Sequence, residues 1–541
     1  MFSFSRATSG SRWPSRTGRI RPPAMTPCAS STTCSPGWRR WSRWAAPPEA
    51  SRFSAVSALS CRFTAGSPLA SRPVFFFGGF GAMHRPIVSS TALAVLLWSG
   101  AAFAAPPTVK TSFDLRLRQE VWDAPARTAA ADSTYDFSLV RARLGLDLTW
   151  THWTLHGMAQ AAGALGIPEN GSFGAGPTYF TANDGETDFG VIALAELSAI
   201  YQKDGLRAVL GRQAYADGFE IPTGSASLDR IKRARLGDRL VGVFEWPNVG
   251  RRYDGASLGY GRGGGHVSAF ALRPLTGAFD HRDAFRSIDD VTVAGGAFTA
   301  KYNTWIPSSE VRAFAIQYED DRRVAPAGGL SLTTAGGSYL WGDARGNVLV
   351  WAAVQGGDWG TADQEAWAVA VDLGRELDGL PGKPSVHLAF EQASGDGRPG
   401  GAHESFFNLL PTNHKYYDLI DFTSFSNLRD VYLETWLSAG SKVKVRAALH
   451  QLSLVEKQDA WYGGSGAFQE STFGYTPRRP AGGFPSTDLG RELGTDVNWT
   501  IREGLQLTVG GAYFWGGDAA AAFLPAKEDA GWGYVELSWK R

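Results

Sequence analysis

The chain contains 541 residues with a formal net charge of +1, but residues 1–104 hold 12 arginines and a single acid, Glu49, so the remaining 437 residues carry a net charge of −10. All three cysteines also lie in the front segment, which excludes a disulfide scaffold, a cysteine-ligated zinc site and a thiol nucleophile from the remainder. The acidic balance of the remainder argues against nucleic-acid binding through a basic surface, and 65 glycines with 12% aromatic residues favour many short strands over helices.

Residues 1–82 are rich in serine, arginine, proline and glycine, and they show no sustained period of 2 or 3.6 residues. We interpret this stretch as upstream coding sequence from a misplaced start or as a disordered leader. A basic tail that binds nucleic acid or a membrane is the alternative interpretation.

A signal peptide is predicted at residues 83–104. Residues 83–85 provide a positively charged start, residues 92–98 an apolar core, and residues 102–104 the Ala-Phe-Ala pattern that signal peptidase recognises. The apolar core is shorter than a stable transmembrane helix. We therefore expect cleavage after Ala104 and export of residues 105–541 into a bacterial cell envelope.

The exported part alternates between apolar and polar residues in many short segments. Because successive side chains of a strand point to opposite sides, each segment has one oily face and one charged face. Eighteen such segments are predicted, at residues 108–122, 135–150, 153–162, 188–203, 206–215, 252–260, 266–273, 291–302, 310–320, 331–342, 347–357, 363–374, 384–394, 430–440, 443–454, 492–502, 505–515 and 531–540.

The connections between these segments have two lengths. Those after even-numbered segments are mostly short, such as residues 204–205 and 503–504, whereas those after odd-numbered segments are mostly long, such as residues 216–251 and 395–429. This pattern is typical of an all-β outer-membrane barrel with about 18 antiparallel strands, short periplasmic turns and long extracellular loops. A soluble β-sandwich or propeller also alternates, but 18 strands would then require several domains joined by linkers.

A barrel in a membrane must close, because every backbone group in the bilayer needs a hydrogen-bond partner. Its apolar faces then contact outer-membrane lipid and lipopolysaccharide, and its polar faces surround the lumen. Eighteen strands enclose a water-filled channel unless loops occupy it. We expect loop 216–251 or loop 163–187 to fold inward, because both are long and the first is highly charged.

Strand parity predicts which charges face the lumen. The inward cations are Arg116, Arg118, Arg141, Arg143, Lys444 and Arg446. The inward acids are Asp114, Glu120, Asp147, Glu434, Glu492 and Asp496. Guanidinium groups bind carboxylates with two hydrogen bonds, so the cations could hold an anionic solute. They could equally pair with the acids and brace the barrel.

Two blocks of sequence carry a resemblance to a known family. The first runs from Leu210-Gly211-Arg212-Gln213 through Gly237-Asp238-Arg239 and Trp246-Pro-Asn248 to Arg251-Arg252-Tyr253-Asp254-Gly255, and the second from Phe406 to Tyr417 and on to Leu489-Gly490-Arg491-Glu492. Over about residues 108–541 the chain resembles the alginate export family of outer-membrane proteins. Residues 215–235 interrupt the first block, where the family pattern is nearly continuous.

The resemblance implies an 18-stranded barrel whose electropositive, arginine-lined lumen conducts an anionic polysaccharide or another anionic solute. It adds Arg212, Arg239 and Arg252 to the predicted substrate-binding cations. It also adds Asp238 and Asp254 to the predicted lumenal acids. The resemblance implies no cofactor and no metal, and periplasmic secretion partners are left open.

Two other functions compete with this hypothesis. A general diffusion porin for small solutes is the nearer one. A barrel-embedded outer-membrane hydrolase is the more distant one, because the sequence has no H-E-x-x-H, G-x-S-x-G or P-loop motif and its histidines, including His414, are scattered. We therefore predict a channel that is not an enzyme and does not bind nucleic acid.

Overall fold

A computed structural model describes residues 106–398, 400–417 and 419–541. The predictions for residues 1–82 and for the signal peptide at 83–104 lie outside the described residues. The strands are β1 Thr108–Asp123, β2 Thr134–Thr149, β3 Trp153–Leu165, β4 Phe189–Lys203, β5 Leu206–Gln213, β6 Tyr253–Arg262, β7 Gly265–Pro274, β8 Val291–Ala300, β9 Ser309–Asp320, β10 Leu330–Gly342, β11 Gly346–Trp359, β12 Ala362–Glu376, β13 Ser385–Ala393, β14 Leu428–Ala439, β15 Val443–Leu454, β16 Trp461–Gly464, β17 Tyr475–Arg478, β18 Asp488–Arg502, β19 Leu505–Gly516 and β20 Ala530–Lys540.

Eighteen of these strands form one closed antiparallel sheet in chain order. The cylinder closes where β1 pairs with β20, for example with Arg118 opposite Glu536. Strands β16 and β17 are absent from the cylinder and form a separate hairpin within the long connection between β15 and β18. The predicted barrel of about 18 antiparallel strands is confirmed, and the hairpin was not predicted.

Side-chain exposure alternates along the strands, as the sequence pattern requires. The outward positions carry exposed apolar side chains, among them Leu144 at 62%, Ile192 at 84% and Val354 at 60% exposure. Their neighbours along each strand point inward and are largely buried. A continuous apolar belt of this kind is stable in contact with lipid, because exposing so much apolar surface to water is unfavourable.

One end of the barrel carries short turns and the other carries long loops. The β4–β5 turn consists of Asp204 and Gly205, both with positive φ, which suits a tight hairpin because such turns follow the right-handed twist of the strands. Both ends of the barrel sequence, Thr108 and Lys540, lie at the short-turn end. The short connection at residues 360–361, between β11 and β12, is an exception among the connections at the long-loop end.

The helices lie in the long loops. Helix α1 spans Ala175–Ala182, α2 spans Ala226–Arg235 and α3 spans Asp518–Phe523, and a single 3₁₀ turn covers Asn413–Lys415. Three basic residues in the last turn of α2 interact favourably with the helix dipole. Across the described ranges, no helix combines the length and apolar composition needed to cross a bilayer.

The interior of the barrel is packed with side chains from the loops. Phe406, Tyr417 and Phe425 of the β13–β14 loop are fully buried, and Trp461 of the next long loop is 1% exposed. They belong to one apolar cluster with inward residues of the strands, such as Trp351. The long loops therefore enter the lumen and pack against the inner face of its wall.

Candidate functional site

The loop at residues 214–252, between β5 and β6, crosses the lumen. It accepts hydrogen bonds from arginines of β1 and makes ion pairs with β2 on the same side, with β9 farther around the cylinder, and with β12, β13 and β14 on the opposite side. A segment that contacts opposite walls of a closed barrel has to pass through its interior. The predicted inward fold of loop 216–251 is therefore seen in the structure. Helix α1 of loop 163–187 also packs inward, where Tyr179 packs edge to face against Phe137 of β2.

The two ends of the charged part of this loop lie side by side. The amide of Asp238 donates a hydrogen bond to the carbonyl of Asp217 at 2.9 Å, and the amide of Asp217 donates to the carbonyl of Val241. Gly218, with φ of 86°, lies so close to the carbonyl of Leu236 that a side chain would collide with it. Residues 218–236 thus form an excursion with a narrow neck, which matches the interruption in the sequence pattern.

A single carboxylate, that of Glu245, lies among three arginines. Arg141 and Arg143 of β2 each approach its Oε2 at 2.9 Å, and Arg252, just before β6, approaches its Oε1 at 2.7 Å. The arginines are largely buried, whereas the Glu245 side chain is 34% exposed. This arrangement, the Glu245 cradle, is a carboxylate-binding site occupied by the protein's own side chain.

Burial by itself would raise the pKa of the Glu245 carboxyl, but Arg252, Arg141 and Arg143 together hold that pKa well below its usual range. Glu245 is therefore ionised at neutral pH. Three guanidinium groups against two carboxylates, those of Glu245 and Glu196, leave the cradle with a local excess of positive charge. Arg252 is also held by Glu196 of β4 at 2.8 Å, which fixes the orientation of its guanidinium.

Arg116 and Arg118 of β1 hold the same loop through its backbone. Arg116 donates to the carbonyls of Glu245 and Pro247, and Arg118 donates to the carbonyl of Trp246. The Arg118 guanidinium also lies 3.5 Å from the centre of the Trp246 ring. These bonds explain why the Trp-Pro-Asn motif sits where it does: its backbone carbonyls satisfy buried guanidinium donors.

The remaining predicted cations have different surroundings. Arg239 forms a two-bond pair with Glu391 of β13, at 2.8 and 2.9 Å, and is fully buried. Arg446 of β15 pairs with Glu434 of β14 at 3.0 Å and lies 3.9 Å from Asp496. Lys444 is exposed near the short-turn end. The structure thus brings Arg116, Arg118, Arg141, Arg143 and Arg252 together, and it places Arg239, Lys444 and Arg446 apart from them.

The predicted lumenal acids are each held by a neighbour. Asp114 lies 3.4 Å from Lys540, Asp147 is hydrogen-bonded to Nδ1 of His156 at 2.6 Å, and Asp238 pairs with Lys415 at 2.6 Å. Glu492 accepts the amide of Leu419 at 2.7 Å, and Asp496 accepts the hydroxyl of Tyr534 at 2.6 Å. The other two acids predicted to point inward do pair with predicted cations: Glu120 lies 3.3 Å from Arg118, and Glu434 lies 3.0 Å from Arg446.

The prediction that Arg212 and Asp254 face the lumen is wrong. They form an ion pair of 2.9 Å between β5 and β6, and Arg212 has the parity of the exposed Leu210 whereas Asp254 has that of Leu258. Both side chains therefore point away from the lumen. The resemblance placed them in the lumen, but the strand alternation of β5 and β6 decides their direction.

Several residues of the site have no clear signal in the sequence. Glu245, Glu196 and Glu391 bind the arginines although they were not predicted to do so. Glu245 directly precedes the Trp-Pro-Asn motif, and this adjacency is the one sequence feature that pointed to it. The other two lie on strands at inward positions, where parity alone gives no partner.

His414, the residue named for the hydrolase alternative, has no catalytic surroundings. Its ring stacks on Trp246 at 3.7 Å, and its Nδ1 lies 2.8 Å from Asp421. Burial lowers the pKa of His414 to about 3 and raises the pKa of Asp421 well above its usual range. Both shifts favour the uncharged forms of the two groups, and a histidine whose pKa is near 3 is a poor general base at neutral pH.

A Ser-His-Asp chain does occur elsewhere. Ser385 lies 2.7 Å from Nε2 of His387, whose Nδ1 lies 2.8 Å from Asp372. All three are at most 2% exposed, and Asp372 also binds Arg235 and Asn347, so a substrate has no access to the serine. This chain braces β12, β13 and α2. Within the described residues, no group of histidine and acidic side chains is arranged to hold a metal ion.

Comparisons with known proteins agree with this architecture. The model of a family described as alginate export matches residues 108–532. The fold is similar to the crystal structure of OccAB4 of Acinetobacter baumannii, with a TM-score of 0.50 and 9% identity over 80% of this chain and 98% of that chain. It is equally similar to OccAB3 of the same organism, with a TM-score of 0.50 and 10% identity over 80% of this chain and 99% of that one. No curated protein matches the chain.

Proposed function

Because the chain belongs to the alginate export family and is an integral β-barrel of the bacterial outer membrane, we propose that it is a channel whose lumenal arginines select anionic solutes, among them anionic polysaccharides. Membership of the family, together with the porin-like barrel, identifies an outer-membrane channel. The charge of the solute and the part played by the arginines are the proposal.

The observation that supports anion selection is the Glu245 cradle. Three buried guanidinium groups converge on one partly exposed carboxylate of a loop. A carboxylate on a passing solute has the same chemistry as that side chain and can take its place. In a lumen with low-dielectric walls such a cluster attracts anions strongly, yet exchange with Glu245 keeps their binding weak enough for release.

The double variant Arg141→Ala, Arg143→Ala tests the proposal. It removes two of the three cations of the cradle, so we expect the reversal potential in a planar bilayer under a salt gradient to shift away from anion selectivity. The matched control is Arg429→Ala, Arg491→Ala, which removes two exposed arginines with outward parity on β14 and β18. An equal shift in both variants, or no shift in the first, contradicts the proposal.

The size and charge of the solute are tested by current block. Oligouronates should block the current at lower concentration than neutral oligosaccharides of the same length. Equal block by the two would instead indicate a general diffusion porin for small solutes.

A further inference from the structure

A second basic pocket lies at the short-turn end of the lumen, between α2 and strands β14 and β15. It has a volume of about 450 Å³. Its wall includes Arg230, Arg233 and Arg235 of α2, with Lys415, Trp436 and Arg446. Trp436 pairs with Ser385, the first residue of β13, so the pocket lies near the short-turn end of the barrel, which is the periplasmic end.

The wall of this pocket is strongly positive. Five cationic side chains line it against a single carboxylate, that of Glu434. The other carboxylates that pair with these cations do not line the pocket: Glu376 pairs with Arg230, Asp372 with Arg235 and Asp238 with Lys415. A solute in the pocket therefore meets the guanidinium and ammonium groups first.

Two of these cations have unused donors. Arg233 is exposed, lies over the Phe219 ring at 4.4 Å, and has no carboxylate within 4.0 Å among the described side chains. Arg235 is 1% exposed, yet its Nη1 has no hydrogen-bond partner. A buried guanidinium nitrogen without an acceptor is costly, and an oxygen of a bound anion would satisfy it.

We propose that this pocket binds one oxyanion group, a carboxylate or a phosphate, of a small organic solute that enters from the periplasm. The pocket is distinct from the Glu245 cradle, and its helix comes from residues 215–235, the segment that interrupts the family pattern. In this role the pocket receives the anionic group before the solute reaches the cradle. That role rests on the proposed function, because it requires the channel to conduct anionic solutes.

Titration calorimetry on the folded chain in detergent tests the site with three probes of similar size. D-glucuronate supplies a carboxylate, D-glucose 6-phosphate a phosphate, and D-glucose neither. We expect saturable binding of one or both anions and none of glucose, and the anion that binds identifies the group. Absence of binding by both anions, or equal binding of glucose, overturns the proposal.

The variant Arg233→Gln locates the site. We expect it to raise the Kd roughly tenfold, because one charge-assisted hydrogen bond is lost. Arg286→Gln, a change at an exposed arginine of the β7–β8 loop, should leave the Kd unchanged. An unchanged Kd for Arg233→Gln overturns the assignment to this pocket.

The reversal potential of the same preparations separates this site from the proposed function. An anion-selective channel without calorimetric binding refutes the pocket alone. Binding by a channel without anion selectivity refutes the proposed function and leaves the pocket standing.

Discussion

At the scale of single residues, the charge that a lumen presents depends on the partner of each arginine and not on the number of arginines. Arg239 is neutralised by a two-bond pair with Glu391 and is shielded from any solute. In the Glu245 cradle, by contrast, three arginines share one carboxylate that is partly open to solvent. The cradle is therefore where a change of one charge should alter ion selectivity most.

Replacing Glu245 by glutamine should have the opposite effect to removing the arginines. The amide keeps the size of the side chain but removes its negative charge, so the three cations become available to mobile anions. We expect the reversal potential in a planar bilayer to shift toward greater anion selectivity.

Glu319→Gln is the matched control for that variant, because Glu319 lies on β9 at an outward position where it bonds Gln317 and Ser331. It removes the same charge outside the lumen and should leave the reversal potential unchanged. An unchanged reversal potential for Glu245→Gln would mean that the cradle does not face the conducting path.

At the scale of elements, the excursion at residues 218–236 acts as a plug attached through a narrow neck. Helix α2 is fixed by Lys232 to Glu310 of β9 at 2.7 Å and by Arg235 to Asp372 of β12 at 3.0 Å. Removing one partner of such a buried pair lowers the stability of the fold, because it leaves the other charge buried without compensation. The helix is thus held at the short-turn end by pairs to separate walls, and it narrows the lumen there.

Replacing residues 219–235 by two glycines should enlarge the single-channel conductance. The neck at Asp217 and Asp238 already brings the cut ends together, so the chain can close without moving the strands. Water that enters the emptied lumen can then solvate Glu310. The measurement is single-channel current at fixed salt.

A shorter deletion, of the four residues 378–381 in the exposed turn between β12 and β13, serves as the control. It shortens a connection at the same end of the barrel without entering the lumen, and it should leave the current unchanged. Equal conductance of the plug deletion and the intact chain would show that α2 does not restrict the path.

At the scale of the whole molecule, one face of a single sheet contacts lipid and the other contacts packed loops. The closed cylinder leaves no strand edge unpaired, which is what permits β-structure in a bilayer. Because the side-chain period is two, a one-residue slip of any strand would turn its charges toward lipid. The barrel therefore has an apolar outer face and a polar inner face only when the cylinder is closed and every strand is in its correct register.

Leu144→Arg should impair folding of the barrel into membranes. Leu144 lies on β2 and is 62% exposed at an outward position. An arginine facing lipid near the bilayer midplane costs about 2–4 kcal/mol. The heat-modifiable folded form, measured by gel mobility without boiling, should decrease relative to Leu144→Met, and equal yields of the two would contradict the assigned outward face.

The sequence by itself determined the barrel: the number of strands, their bounds to within a few residues, the short-turn end and the inward direction of Arg116, Arg118, Arg141 and Arg143. These follow from a local period of two, which every strand carries in its own residues. Only the tertiary structure decided the contents of the lumen. Glu245 reaches Arg141 and Arg143, and Glu391 reaches Arg239, across more than 100 residues of chain, and no local pattern encodes such a pairing.

The same difference explains the error at Arg212 and Asp254. A motif names residues, but the direction of a side chain is set by the register of its strand. Loop packing likewise depends on contacts between segments that are distant in sequence, such as Trp246 with His414. Strands are fixed by local alternation, whereas the plug is fixed by long-range ion pairs and aromatic contacts, and these exist only once the cylinder has closed.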